Sequence, residues 1–365
     1  MKLTQIQTMN LIKKIFILLL TLILLNQCSK KDDLWVKITD DNFLDALLQM
    51  GIDTDGDGKI SYTEAADVKY LNVNEKKLLN IKGIESFINL EILECANNGL
   101  LLLDVSDNTA LTILNCNSNK LQSLDISHNI HLESLSCGWN ELTSLDISKN
   151  NALQELLCTF NSFETLDVSK NTSLKKLTCN YDQLNSLDIS ANITLTSLSC
   201  DYNSLTSLDI SHNADLEELF CFENKLSGLN ISNNIALKQL MCSDNPLNSL
   251  DITRNINLES VTCERNNLST LDVSKNPVMY LIYCAENQLT NLDLSRNLFL
   301  EELHCDSNKL TNLDLSHNTY LKGLWLTFMP SLSKVCVWKM PFPASIYVVE
   351  TTGSPNIYYS TDCSK

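Results

Sequence analysis

The segment 132–150, which reads LESLSCGWNELTSLDISKN, contains the pattern that decides the fold. Its apolar residues have a fixed, uneven spacing: Leu132, Leu135, Cys137, Leu142, Leu145 and Ile147. The frame returns every 21 residues, as its cysteines show: Cys95, Cys116, Cys137, Cys158, Cys179, Cys200, Cys221, Cys242, Cys263, Cys284 and Cys305. A strict period of this length predicts a solenoid, in which each coil buries its apolar face only against its neighbours.

The frame LxxLxCxxNxLxxLDxSxN resembles the leucine-rich repeat family, in a short bacterial variant with cysteine in place of the last strand leucine. The resemblance covers residues 68–332. It implies a curved repeat solenoid of roughly twelve coils with short parallel strands on its concave face. A degenerate unit at Val68, Leu71 and Val73 begins the array, and a unit without cysteine begins at Leu321.

The eleven repeated cysteines are interpreted as buried, free thiols. Identical side chains in parallel register point the same way and lie one per coil, which disfavours disulfides within the ladder. A zinc site needs clustered ligands, whereas these are strung out along the array. Cysteine behaves as a small apolar residue in such a position.

Three polar columns also recur once per coil. The first asparagine column runs from Asn98 to Asn308, with Asp182 in one place, and is expected to bond the backbones of neighbouring coils. The second, Asn108 to Asn318, is interpreted as a turn residue. An aspartate column that begins at Asp104 either caps nearby N–H groups or lines up as a calcium ladder, and capping is the simpler reading.

The first 27 residues are predicted to be a signal peptide. Lys13 and Lys14 precede an apolar run, Ile15–Leu25, that is too short to span a bilayer. The run ends at Cys28 in a sequence that resembles a bacterial lipobox, which implies lipidation of Cys28 and a linker over 28–36. The charged run 29–33 resembles a signal for the outer face of the outer membrane. A plain secretory peptide cut elsewhere is the alternative.

Residues 53–64 match a calcium-binding EF-hand loop within a predicted N-terminal cap, 37–67. The match assigns six ligand positions: Asp53, Asp55, Asp57, Lys59 (through its carbonyl), Ser61 and Glu64. Gly58 stands where the loop must turn sharply, and residues 40–50 have helical periodicity. One structural calcium ion is therefore predicted. A lone loop favours a rigidifying role in the cap over a sensor or a dockerin-like module.

The columns beside each cysteine are free of the repeat's constraints, so they are the expected ligand surface. Nine of the thirteen aromatic residues between 139 and 328 lie in them. The predicted surface comprises Trp139, Phe160, Tyr181, Tyr202, Phe220, Phe222, Tyr283 and Trp325. The first four share one column and are expected to form a stripe on the concave face, either stiffening the sheet or binding a partner.

Residues 333–365 break the frame and are predicted to form a small β cap over the end of the core, with strands near 335–338, 346–349 and 356–359. Cys336 and Cys363 are the cysteines outside both the ladder and the lipidation motif. In an oxidising compartment they are candidates for a disulfide.

The formal net charge of −17 argues against nucleic acid as a partner. His128, His212 and His317 repeat one loop position and form no catalytic constellation, and no nucleotide-binding, nucleophile-elbow or zinc motif is present in the sequence. The sequence thus predicts a monomeric, non-catalytic surface lipoprotein that binds a protein or a glycan. A lipoprotein that organises a neighbouring protein in the outer membrane is the alternative.

Overall fold

The computed structural model describes residues 34–342 and 347–363. Helices α1, Asp41–Gln49, and α2, Tyr62–Asp67, lie at the N-terminal end, followed by a turn of 3-10 helix, Ile84–Ser86. The side chain of Asp40 accepts a hydrogen bond from the N–H of Phe43 and caps α1. Ser61 and Glu64 form a capping box at α2. The predicted signal peptide and Cys28 lie outside the described residues.

The rest of the described chain winds as a solenoid of three-residue strands. They are β1 Tyr70–Asn72, β2 Ile92–Glu94, β3 Ile113–Asn115, β4 Ser134–Ser136, β5 Glu155–Leu157, β6 Lys176–Thr178, β7 Ser197–Ser199, β8 Glu218–Phe220, β9 Gln239–Met241, β10 Ser260–Thr262, β11 Leu281–Tyr283, β12 Glu302–His304, β13 Asn312–Asp314, β14 Gly323–Trp325, β15 Lys334–Cys336, β16 Val348–Glu350 and β17 Tyr358–Ser360. Fourteen of them form one parallel sheet in the order β1 to β12, β14, β16. The other three, β13, β15 and β17, form a second sheet.

The 21-residue period of the sequence sets the register of the long sheet. In the regular coils each strand residue pairs with the residue one repeat later, as Ser134 does with Glu155 and Leu135 with Leu156. In the regular coils the central strand residue is buried, and it is leucine except for Val261 in β10 and Ile282 in β11. The cysteine that follows each of these strands is also buried. The core is therefore a stack of equivalent layers. The sheet has more strands than the roughly twelve coils predicted, because irregular coils extend it at the ends.

The two asparagine columns connect successive coils. Asn140 donates from Nδ2 to the carbonyls of Cys116 and Cys137, both at 3.0 Å, and its Oδ1 accepts from the N–H of Leu121. The second column, interpreted above as turn residues, is completely buried: Asn129 donates to the carbonyls of Val105 and Asn108 at 2.9 Å. Buried backbone carbonyls need such donors, so both columns stabilise the stacking.

The aspartate column caps local backbone groups. Asp146 accepts a hydrogen bond from the N–H of Ser148 at 2.9 Å, and equivalent bonds recur along the column. Hydrogen bonding from the backbone and the side chain of Ser148 lowers the pKa of the Asp146 carboxyl. The column is thus explained by turn capping within each coil.

The C-terminal residues continue the winding of the solenoid. β16 pairs with β14 and adds the last strand of the long sheet, while β17 pairs with β15 in the second sheet. The observed strands thus lie one or two residues from the predicted positions. Within the described residues, no helix combines the length and hydrophobicity needed to cross a bilayer.

Candidate functional site

The aromatic column at Trp139 lies in a turn, not on the strands as the sequence suggested. Strands β2 to β12 each end one residue before the cysteine of their coil, and the chain bends directly afterwards. Trp139, Phe160, Tyr181 and Tyr202 all have φ between 53° and 56°. This left-handed conformation is uncommon for residues other than glycine. The four rings therefore stand along one edge of the sheet, and we call them the edge ladder.

The rings of the edge ladder stack face to face. Their centroids are 3.7 Å apart for Trp139 and Phe160, 4.1 Å for Phe160 and Tyr181, and 4.0 Å for Tyr181 and Tyr202. The planes diverge by 21° or less. Phe222 closes one end, with its ring edge-on to Tyr202 at 5.0 Å. Stacking thus occupies most ring faces and leaves the ring edges toward solvent.

A second aromatic stack lies on the outward face of the strands themselves. Tyr283, His304 and Trp325 are the last residues of β11, β12 and β14 and follow one another in register. The His304 ring lies 3.8 Å from each of its two neighbours. The sequence prediction contained Tyr283 and Trp325 but missed His304, although it occupies the same position relative to the cysteine.

Acidic side chains surround this second stack. The Tyr283 hydroxyl donates to the Glu302 carboxylate, and burial together with that bond raises the pKa of Tyr283. Burial is also the main cause that raises the pKa of Glu264, outweighing the nearby Arg265 cation. Burial lowers the pKa of His304. We call Tyr283, His304, Trp325, Glu264 and Glu302 together the strand patch.

Arg265 is the main cation beside the strand patch, and it is already paired. Its Nε and Nη2 bind the Asp244 carboxylate, and Nη1 lies 3.5 Å from Glu286. The pair with Asp244 raises the pKa of Arg265. Neither Glu264 nor Glu302 forms an ion pair with a described residue, although Arg265 acts on Glu264 from a longer distance. The patch therefore presents carboxylates without a direct ion-pair partner beside aromatic rings.

The other predicted surface residues are scattered. Phe220 is a half-buried strand residue of β8, and Phe222 belongs to the end of the edge ladder. Asp201, which directly follows Cys200, is only 3 % exposed and accepts hydrogen bonds from the Ser199 hydroxyl and from the N–H of Phe222. Burial raises its pKa to about 6.

The N-terminal loop brings three of the six predicted calcium ligands together. Oxygen atoms of Asp53, Asp55 and Glu64 lie within 4.8 Å of one another. The Asp57 carboxylate instead accepts from the N–H of Lys59, and the Ser61 hydroxyl caps α2. Backbone bonds, above all that from Ser61, lower the pKa of Glu64 to about 2.

The turn geometry of this loop agrees with the sequence pattern. Gly56 and Gly58 adopt φ values of +76° and +80°, which glycine tolerates without strain. Beyond the turn, the N–H of Val36 donates to the carbonyl of Ile60 at 2.8 Å. The loop is thereby tied to the segment that precedes α1.

The ladder cysteines are free and buried, and burial raises their pKa values, for Cys116 to about 12. Cys336 and Cys363 are joined by a disulfide, with their Cα atoms 5.5 Å apart. That separation is typical of the bond. It connects β15 to the end of the described chain.

The chain has the leucine-rich repeat fold with a 21-residue period. The functional domain of InlJ from Listeria monocytogenes, which includes a cysteine ladder, superposes with a TM-score of 0.68 at 28 % identity, covering 83 % of this chain and 76 % of that one. An internalin, inlF, from the same species gives 0.76 at 19 % identity over 86 % and 94 %. A leucine-rich repeat protein of Leptospira interrogans gives 0.58 at 20 % identity over 82 % and 97 %.

No family model and no curated protein matches the sequence. A more distant structure with the same fold is a plant receptor kinase ectodomain in complex with CASPARIAN STRIP INTEGRITY FACTOR 2, at 13 % identity and a TM-score of 0.56, covering 76 % of this chain and 42 % of that one. Proteins with this fold are typically protein-binding domains.

Proposed function

We propose that the protein is a non-catalytic, lipid-anchored binding or adhesion protein that recognises a protein partner on the face of its long sheet. The observation that carries this proposal is the strand patch, where stacked aromatic rings lie beside carboxylates that form no ion pair with a described residue. The five residues of the patch are half-buried and so remain partly accessible to a partner. Aromatic residues are enriched at the centres of protein interfaces. A scaffolding lipoprotein that holds a neighbouring protein would use the same surface.

The electrostatics of the strand patch favour a partner with a basic and partly apolar surface. Glu264 and Glu302 supply charge, and Trp325 and Tyr283 supply ring faces and edges for apolar or cationic side chains. Opposite charges of this kind accelerate association and make it sensitive to salt. The same negative field opposes binding of nucleic acid.

The proposal is tested with an array of immobilised extracellular and outer-membrane proteins. The chain lacking residues 1–27 is added to this array as the probe. Trp325→Ala and Glu302→Gln are each expected to weaken the best binder by roughly tenfold or more. Tyr320→Ala is the matched control, because Tyr320 is an exposed aromatic residue (58 %) away from the strands. A partner that binds both patch variants as tightly as the unaltered chain contradicts the proposal.

We also propose that Cys28 is lipidated and holds the protein in the outer membrane, facing the cell exterior, as a monomer. The support is the sequence pattern at 13–33, where lipid chains would fix the N-terminus to the bilayer. Protease treatment of intact cells should remove the repeats, whereas Cys28→Ser should release the protein from membranes. Full protection from protease would instead place the protein in the periplasm.

We further propose that the 53–64 loop binds one structural calcium ion. The oxygen cluster of Asp53, Asp55 and Glu64 fits a hard cation. The Asp57 carboxylate, the Lys59 carbonyl and Ser61 would supply the remaining ligand positions of the loop. Calorimetry should give heat on addition of calcium and a melting temperature that falls with chelator. Glu64→Gln should reduce both effects, and Asp45→Asn, an exposed acid on α1, should leave them unchanged.

A further inference from the structure

The edge ladder is open at one end. Trp139 stacks on Phe160 with one face, and none of the described residues places a ring against its other face. Trp139 is 56 % exposed, compared with 40 % for Tyr181 inside the stack, and Phe160 and Tyr202 are half-buried. The opposite end is closed by Phe222. The free aromatic face therefore points toward the preceding coil.

The preceding coil holds a small polar residue where the next ring would stand. Ser118 occupies the same turn position as Trp139, with φ 55°, and Asn97 occupies it one coil earlier. The Ser118 hydroxyl forms no hydrogen bond with the described residues. Asn117 accepts from the N–H of Gly138 through Oδ1 at 2.6 Å, which leaves its amide N–H groups free to donate. The preceding coil thus presents uncharged hydrogen-bonding groups beside the free face of Trp139.

We propose that the outer face of Trp139 is a binding platform for a pyranose ring of a neutral glycan. An aromatic ring carries negative charge on its face, which attracts the weakly positive C–H bonds on the flat side of a sugar. The rings of the ladder are spaced by 3.7–4.1 Å, so a sugar replacing the missing ring would lie against Trp139 in van der Waals contact. Its hydroxyls would reach Ser118 and Asn117.

The Ser118 hydroxyl and the Asn117 amide favour a sugar over an aromatic side chain of a protein as the ligand of Trp139. An inserted Phe or Trp ring would contact Trp139 equally well but would leave the Ser118 hydroxyl and the Asn117 amide N–H groups without partners. Unpaired polar groups at an interface oppose binding. Uncharged residues on this side also contrast with Glu223 and Asp244, which follow Tyr202 in the same column. The site is many coils from the strand patch and independent of the protein-binding proposal.

The decisive variant is Ser118→Phe, which should add a fifth ring to the stack. Trp139 and Phe160 already tolerate the left-handed conformation in this column, so the new ring should stack and leave the melting temperature equal or higher. It should also cover the Trp139 face and weaken glycan binding by about tenfold or more. Ser307→Phe makes the same change at the same turn position in a distant coil and should bind as the unaltered chain does.

The probe is an array of neutral glycans, followed by calorimetric titration of the best soluble oligosaccharide into the chain lacking residues 1–27. Trp139→Ala should abolish that binding. The proposal is overturned if no neutral glycan binds, or if Ser118→Phe binds it undiminished. It is also overturned if only tryptophan- or tyrosine-containing peptides bind in a manner that Ser118→Phe blocks, since the occupant would then be a protein side chain. Loss of protein binding in the Trp325→Ala variant tests the proposed function and leaves the glycan proposal unaffected.

Discussion

Asp182 stands in the first asparagine column, where its carboxyl replaces a side-chain amide. Its Oδ1 accepts from the N–H of Asn161 at 3.0 Å, whereas Asn203 in the next coil accepts from the N–H of Leu184. Its Oδ2 is buried and has no partner among the described residues, in the place where Asn203 one coil later donates to two cysteine carbonyls. A carboxylate there faces other acceptors, whereas a protonated carboxyl donates. Burial accordingly raises the pKa of Asp182 to about 7.

The substitution Asp182→Asn is expected to stabilise the fold in a pH-dependent way. The folded-state pKa of Asp182, about 7, exceeds the ordinary 3.8, so the free energy of unfolding of the unaltered protein is highest below about pH 4 as far as this group is concerned. It falls as the pH rises from about 4 to 7 and stays at the lower value above pH 7. Asparagine should therefore raise the free energy of unfolding at pH 8 by up to about 4 kcal/mol, and by little at pH 4.

Urea unfolding of both proteins at the two pH values measures this difference. Asp188→Asn is the control, because Asp188 is an exposed acid of the same coil that accepts from the N–H of Ser190, with a lowered pKa. That control should lose a little stability at pH 8. An equal gain for Asp182→Asn at pH 4 and pH 8 would show that Asp182 is not protonated in the fold.

The second asparagine column shows where reading single residues from sequence reaches its limit. The recurrence of Asn129 and its equivalents was visible, but asparagine is common both in turns and as a buried donor. Only the winding of the chain decides which backbone carbonyls come within reach, here those of Val105 and Asn108. The leucine and cysteine columns were predictable because apolar side chains that recur in every coil are stable only when they are buried in the core of the stack.

At the scale of the element, each three-residue strand and the turn after it make one unit. The repeat predicted the inward leucines and the residues beside the cysteine, but it gave no sign that the chain leaves the strand before the cysteine. Glycine often marks a left-handed turn, and none recurs at the Trp139 position. The edge ladder was consequently predicted as a stack in the correct column but on the wrong part of the coil.

Gly323 on β14 allows the Trp325 ring to lie flat within the strand patch. A Cβ atom at Gly323 would lie 2.5 Å from Cζ3 and 2.8 Å from Cη2 of Trp325. Gly323→Ala should therefore displace the ring, end its 3.8 Å stacking on His304 and destabilise the fold by about 1–3 kcal/mol. Near-ultraviolet circular dichroism and tryptophan fluorescence should both change.

The matched control for this prediction is Gly228→Ala, since no atom lies within 4 Å of a Cβ built at Gly228. That variant should keep the spectra of the unaltered protein. If Gly323→Ala also keeps them, the Trp325 ring is not confined between His304 and the β14 backbone. In that case the strand patch would be less rigid than its stacking implies.

At the scale of the whole molecule, every coil contacts only its neighbours, so the stability of each coil should depend on whether the adjacent coils are folded. The eleven free thiols report this directly, because each is buried in a different coil. A thiol reacts as the thiolate, and burial raises the pKa of these groups, so labelling requires local opening. Native-state alkylation followed by mass spectrometry therefore gives one opening rate per coil.

The terminal coils should be labelled first, and the two ends should respond to different treatments. If the 53–64 loop binds calcium as proposed, chelation should speed labelling of Cys95 but not of Cys305, because the loop contacts only the N-terminal end of the array. Cys363→Ser should do the reverse, because the bond to Cys336 holds the last strands of the second sheet against the final coils. Central thiols such as Cys200 should change little under either treatment. Uniform labelling of all eleven at one rate would mean that the array opens in a single cooperative step, and neither terminal structure would then act as an independent cap.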